Sequence, residues 1–297
     1  MTSVAVVGLG IMGGAIARHL IDAGVEVIGY DPSSEACSDA RAAGVQVVSR
    51  IDELPGATTT VILSLPSFAA AQQVVSDVAL LAAPRTVIET STLSLQEKLA
   101  LRDPLHAAGH CILDCPISGT GRQMQEKDVV IYASGDAEAL RQAEPMLRLI
   151  SRQVLNLGAF GKGTSMKLIA NHLVAVHNVA AAEAVLLGMK AGFSMDELLA
   201  AIAPGAGNSR MFELRGPNVA ERCYSPAAMK LSLWSKDMGL IASFVRDLDA
   251  STPLFDAAVP LYEAALAAGF GDQDTSAVAE VLRSMSAGNP TQESEED

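Results

Sequence analysis

The sequence predicts an α/β chain in two parts, an N-terminal doubly wound parallel sheet followed by an all-α C-terminal domain. Three observations predict it. Short apolar, β-rich runs alternate with helical stretches through the first half of the chain. A glycine-rich turn joins the first such run to the first helical pattern. Beyond Gly163 the strand-like runs stop and every remaining segment reads as helix. With 297 residues, 49% of them hydrophobic, the chain can bury two cores and bulk disorder is excluded. Only 4% of its residues are aromatic, and abundant alanine and glycine favour close helix packing over an all-β protein.

The elements follow in order. Residues 3–8 form an apolar run that leads into the glycine turn and a helical pattern through Leu20 and Ile21. A second run, Val25–Tyr30, ends in Asp31-Pro32, with a helix expected from Ser33 or Ser34. Further strands are expected at Val45–Val48, Thr60–Leu65, Thr86–Glu89 and Cys111–Asp114, with helices at Phe68–Leu81 and Leu95–Ala108. Val129–Ala133 and Gln153–Leu157, on either side of a helix through Ala139–Leu149, are expected to extend the same sheet. One long proline-free helix is expected over Ser165–Ala191, and later breaks at Pro204-Gly205, Gly216-Pro217, Pro226 and Pro253. The domains expected are 1–162, 163–290 and an acidic tail, 291–297. Within the long helix, Ile169–Met189 contains Asn171, His172, His177, Asn178 and Glu183, too many polar groups for lipid. A buried helix is expected there, not a membrane span.

A formal net charge of -13 argues against a nucleic acid or an anionic membrane as partner. Four cysteines without paired CxxC spacing read as reduced thiols. His106, His110, Cys111, Asp114 and Cys115 lie close in sequence but match no zinc spacing, so no metal is expected. Met1-Thr2-Ser3 runs into an apolar strand without a basic leader, and a cytoplasmic location is expected.

Gly8-Leu9-Gly10-Ile11-Met12-Gly13 fits G-x-G-x-x-G between a strand and a helix. In that context the first glycine makes the turn and the second lets a pyrophosphate approach. The third brings helix and strand together, and the helix N-terminus receives the phosphates. Asp31 ends the second strand about 20 residues on, where a carboxylate accepts hydrogen bonds from the adenosine ribose and repels a 2′-phosphate. The same residues would serve a plain tight turn and a plain helix entry. Loop, strand order and acid together favour a Rossmann domain that binds NAD, with NADP the weaker fit.

The segment VGLGIMG (7–13) resembles the opening of the β-hydroxyacid dehydrogenases, and five further segments extend the likeness over nearly the whole chain apart from the tail. LSLPS (63–67) is similar to the family's strand-end loop beside the cofactor, which implicates Leu65 and Pro66. ETST (89–92) resembles the loop whose hydroxyl approaches the nicotinamide ribose, a role that would fall to Thr92. The segment 114–135 resembles the substrate stretch, with Ser118 and Gly119 at the carboxylate positions and Thr120 where a third small residue is usual. GKGTSMKLIANH (161–172) resembles the catalytic motif and puts the family's lysine at Lys167 and its substrate-binding asparagine at Asn171. WSKD (234–237) would bring Lys236 near the cofactor. Lys127 and His172 depart from the family's usual glycine and asparagine, and 207–217 looks somewhat like the threonate branch. The resemblance implies hydride transfer from a small hydroxy acid, such as 3-hydroxyisobutyrate, glycerate or threonate, to a nicotinamide.

The residues support that chemistry in their own right. Lys167 and Asn171 are four apart, on one helical face, where an amine and an amide could converge on one ligand. Alcohol oxidation needs a group that accepts the hydroxyl proton as hydride leaves, and a lysine serves when its amine is unprotonated. Ser118-Gly119 follows a strand end, where open α/β sheets hold ligands, and hydroxyl and amide donors suit a carboxylate. Arg210 and Arg215 are further carboxylate candidates, Trp234 reads as packing, and Asp237 either orders Lys236 or caps a helix. The long apolar helix suggests self-association as a homodimer or homotetramer. The competing readings are a semialdehyde or imine reductase on the same scaffold and a non-catalytic dinucleotide-binding protein. The larger 6-phosphogluconate dehydrogenases would want more basic residues.

Overall fold

The computed structural model describes residues 3–287; the acidic tail expected at 291–297 lies outside the described residues. The chain divides into two compact units, Met1–Lys167 and Leu168–Asp297, so the division falls inside a helix, five residues past the expected 162/163 boundary.

In the first unit, β1 (Val4–Val7), β2 (Val27–Tyr30), β3 (Gln46–Val47), β4 (Thr60–Leu63), β5 (Thr86–Glu89) and β6 (Cys111–Asp114) form one parallel sheet. Its order is β3-β2-β1-β4-β5-β6. The strands are apolar at nearly every position because both faces are covered. Val4 and Val6 enter one core with α1 (Ile11–Asp22), α2 (Ser34–Ala42) and α6 (Ala137–Leu149), whereas Ala5 and Val7 enter the other with α3 (Phe68–Ala79) and α4 (Leu95–Ala107). Side-chain alternation along a strand therefore assigns each residue to one core or the other. The order reverses between β1 and β4, which opens a crevice at their C-terminal ends, where such sheets take ligands.

The expectation that 129–133 and 153–157 extend this sheet is corrected. β7 (Ile117–Ser118), β8 (Val130–Ala133) and β9 (Gln153–Asn156) form a second sheet, ordered β7-β8-β9. Pro116, which carries no N–H, separates β6 from β7, and β7 turns back antiparallel to β8. Only an isolated Asp114–Ser134 bridge joins β8's end to β6's. A short helix unforeseen from sequence, α5 (Gly121–Gln125), follows β7.

α7 (Lys162–Lys190) opens the helical unit, which continues through α8 (Met195–Ile202), α9 (Arg210–Glu221), α10 (Leu231–Asp247), α11 (Pro253–Ala267) and α12 (Val278–Ala287). The break expected at Gly216-Pro217 does not occur. Pro217 lies inside α9, and burial of Phe212, Arg215, Gly216 and Val219 outweighs the one backbone hydrogen bond it removes. Pro253 begins α11, at a first-turn position where the missing N–H costs nothing. The long helix is not wholly buried either. By length and composition α7 could cross a membrane; it buries one side and exposes Met166, Ile169, Leu173, Leu187 and Met189. Trp234 packs in the core of this unit, as expected.

Candidate active site

The glycine loop sits at the reversal point of the sheet. Gly8 has φ +88°, and a Cβ there would stand 2.2 Å from the Ser64 carbonyl oxygen beyond β4. At Gly13 a Cβ would stand 1.8 Å from the Gly8 carbonyl oxygen, so α1 can approach β1 only with glycine there. A Cβ at Gly10 would instead meet nothing within 4 Å. Gly10 is the N-cap of α1 and supplies no side-chain cap, which leaves the first N–H groups of Ile11, Met12 and Gly13 for phosphate oxygens. Asp31 Oδ2 accepts the Leu9 N–H at 2.7 Å and Oδ1 the Ser33 N–H at 2.8 Å. The carboxylate is thereby fixed beside the loop with lone pairs to spare for ribose hydroxyls. These features fit a dinucleotide.

The neighbouring loops close on the same edge. Leu65, half-buried beside exposed Pro66, donates its N–H to Ser91 Oγ at 2.9 Å, which ties the loop after β4 to the loop that carries Thr92. Ser118 and Gly119 are half-buried at the end of β7. The Thr120 hydroxyl caps α5 in a capping box with Gln123, and a Cβ on Gly121 would stand 2.5 Å from Ile11 Cγ2. Predicted substrate loop and predicted phosphate loop are therefore neighbours.

On α7, Lys167 is 8% exposed and Asn171, one turn on, 4%. Asn171 Nδ2 donates to Asp237 Oδ2 at 3.0 Å, and Asp237 follows the exposed Lys236 on α10. Asp237 therefore orders the asparagine, a partner that the sequence reading did not name. His172 stacks on Phe255 with ring centroids 5.4 Å apart. Arg215 is buried and paired with Asp274 at 3.1 Å, whereas exposed Arg210 pairs with Glu213. Both arginines thus have carboxylate partners within the chain.

Sequence reasoning also missed a buried ionic group beneath the loops. Lys98, Glu89 and Asp114 are all fully buried, with Lys98 Nζ paired to Glu89 and 3.1 Å from Asp114. Burial alone would push the Lys98 ammonium down; the two carboxylates outweigh it and hold the group above the ordinary lysine range. The available signal was spacing, because Lys98, Leu101 and Leu105 form one buried stripe of α4. Complete burial also pushes the Cys115 thiol up, so the one cysteine near the substrate loop stays protonated and inert.

Residues 3–158 match the model of the NAD binding domain of 6-phosphogluconate dehydrogenase. Residues 161–282 match that of the NAD-binding domain of NADP-dependent 3-hydroxyisobutyrate dehydrogenase. A probable 3-hydroxyisobutyrate dehydrogenase of Mycobacterium tuberculosis is 32% identical over 290 residues, 95% of this chain and 98% of the relative. The chain belongs to the β-hydroxyacid dehydrogenase family. An L-threonate dehydrogenase of Haemophilus influenzae is 31% identical, with 96% of each chain covered. The solved 3-hydroxyisobutyrate dehydrogenase of M. tuberculosis with L-serine superposes with a TM-score of 0.87 at 32% identity, over 95% of this chain and 99% of that one. This family member is accordingly an enzyme, an NAD(P)-dependent oxidoreductase acting on hydroxy acids.

Proposed function

We propose that the enzyme oxidises a small β-hydroxy acid with NAD, and that Lys167 takes the hydroxyl proton. The observation that carries this reading is a buried lysine and a buried asparagine one turn apart on α7, Lys167 and Asn171. Buried ionisable groups cluster where chemistry needs them. The bound dinucleotide supplies the hydride acceptor. In oxidation the neutral Lys167 amine accepts the hydroxyl proton, and in reduction its ammonium returns a proton to the alkoxide oxygen. The Ser118 hydroxyl, the Gly119 amide and the second Asn171 N–H bind the substrate carboxylate. Thr120 holds that loop through its cap, while Leu65, Pro66, Thr92 and Lys236 line the cofactor. Homo-oligomerisation through the exposed apolar side of α7 and a cytoplasmic location belong to the same proposal.

The enzyme should prefer NAD to NADP by at least about tenfold in kcat/KM, because Asp31 repels a 2′-phosphate and Ser33 stands where a phosphate-binding arginine would be needed. A panel of three- to five-carbon hydroxy acids, 3-hydroxyisobutyrate, glycerate and threonate among them, assayed with both cofactors by absorbance of the reduced form, tests substrate class and preference together. Equal use of NADP would overturn the cofactor assignment, and no turnover of any hydroxy acid would overturn the substrate class.

Asn171→Ala should cost about 2 kcal/mol in kcat/KM for the hydroxy acid, the scale of a hydrogen bond to a charged group, with NAD affinity unchanged. Steady-state kinetics alongside calorimetry with NAD checks it. An unaltered kcat/KM would mean that the substrate carboxylate binds elsewhere.

A further inference from the structure

The Glu89–Lys98–Asp114 cluster is a poor device for stability alone, since apolar groups of similar size often replace buried ion clusters without loss. Its hydrogen bonds lead elsewhere. Glu89 Oε1 accepts the Ser91 N–H at 2.9 Å, and Ser91 Oγ accepts the Leu65 N–H, so one arm sets the two loops of the cofactor edge. Asp114 makes the other arm. Its Oδ2 accepts the Thr164 N–H at 2.8 Å and the Ser134 hydroxyl at 3.1 Å, and its Oδ1 accepts the Thr164 hydroxyl at 2.8 Å. Ser134 Oγ in turn accepts the Gly163 N–H at 2.9 Å.

Asp114 therefore caps the first turn of α7 from inside the sheet. The fit is tight: a Cβ on Gly163 would stand 2.3 Å from the Tyr132 carbonyl oxygen and 3.1 Å from Asp114 Oδ2. One cation against two carboxylates leaves a net negative charge, and the helix N-terminus, worth about half a positive charge, faces it. Thr164 and Lys167 are three residues apart and share a helix face. Asp114 also begins the segment that runs through Cys115 and Pro116 to Ser118.

We propose that the Glu89–Lys98–Asp114 triad is a positioning device, which locks Thr164 and so sets the rotation and height of Lys167 against the Ser118 loop. This rests on the reading of Lys167 as the proton-transfer residue. A helix turns by about 100° per residue, so a first turn without its lock can swing Lys167 away from the reacting oxygen. Misplacement of reacting groups by about 1 Å can cost about a hundredfold in rate.

Thr164→Val removes the Asp114–hydroxyl bond and keeps the side-chain shape. With the best hydroxy acid of the panel, kcat should fall at least about tenfold while KM for NAD stays within about twofold, and Thr164→Ser should restore kcat to within about threefold. A readout free of substrate is the rate at which acetic anhydride labels Lys167 in the NAD complex, followed by peptide mass mapping. It should change at least about threefold in Thr164→Val and return in Thr164→Ser if amine placement sets it. Wild-type kcat in Thr164→Val, or a labelling rate equal to the wild type's, would overturn the proposal. Full turnover by Lys167→Ala defeats the reading beneath it instead; an inert Lys167→Ala beside a fully active Thr164→Val defeats the positioning role alone.

Discussion

Lys167→Ala should lower turnover by about 10²–10⁴-fold, the usual worth of a positioned general acid–base group. The loss should fall on kcat and kcat/KM together, because the proton moves only in the transition state. Lys167→Arg should rescue little: a guanidinium stays protonated at any working pH and cannot accept the hydroxyl proton. In the wild type the oxidative rate should rise with pH, since the neutral amine is the active form, and the reductive rate should fall. NAD binding by calorimetry should survive both substitutions, since the Gly8–Gly13 loop is a separate element of the first unit. Retention of more than about a tenth of wild-type turnover in Lys167→Ala, far above what acid–base loss allows, would mean that the proton travels by another route.

The first unit was legible in the sequence because its strands are buried on both faces. Val4–Val7, Thr60–Leu63 and Thr86–Glu89 stand out as apolar runs for that reason, and the glycine loop marks where the order reverses. Strand partners were less legible than strands. Val130–Ala133 and Gln153–Asn156 read correctly as strands, but nothing local in them says that they pair with each other and, through Val130–Ala133, with Ile117–Ser118 instead of joining Asp114's strand. Gly216-Pro217 misled in the opposite sense. A dipeptide that breaks exposed helices is carried here by the buried face of α9. At the candidate site, the hydrogen-bond partners of the motif residues were not readable. Asp237 behind Asn171 is 66 residues away in sequence, and Thr164 lies 50 residues from Asp114. Lys98 escaped notice because helix lysines are usually solvated, although its place on the stripe with Leu101 and Leu105 marked it as internal.

Lys98→Met should destabilise the protein by about 3–5 kcal/mol, the cost of removing one partner from a buried ionic group. Methionine keeps the length of the apolar stem, so little cavity is made; the loss comes from Glu89 and Asp114, left in the core without a cation. Lys98→Met combined with Glu89→Gln should recover a large part of it, because a neutral amide removes one of the two stranded charges. Urea melts at neutral pH measure both. The alkaline side offers a separate check. Burial pushes Lys98 down and the two carboxylates push it further up, so its folded value lies above the unfolded one. The stability it contributes is then fully present below the ordinary lysine range and is lost as pH rises through the higher folded value. Wild-type Tm should consequently fall more steeply than that of Lys98→Met above the lysine range, where the cation is given up. Equal urea stability of Lys98→Met and wild type, with parallel alkaline profiles, would show that the triad is not held as ions in the folded protein.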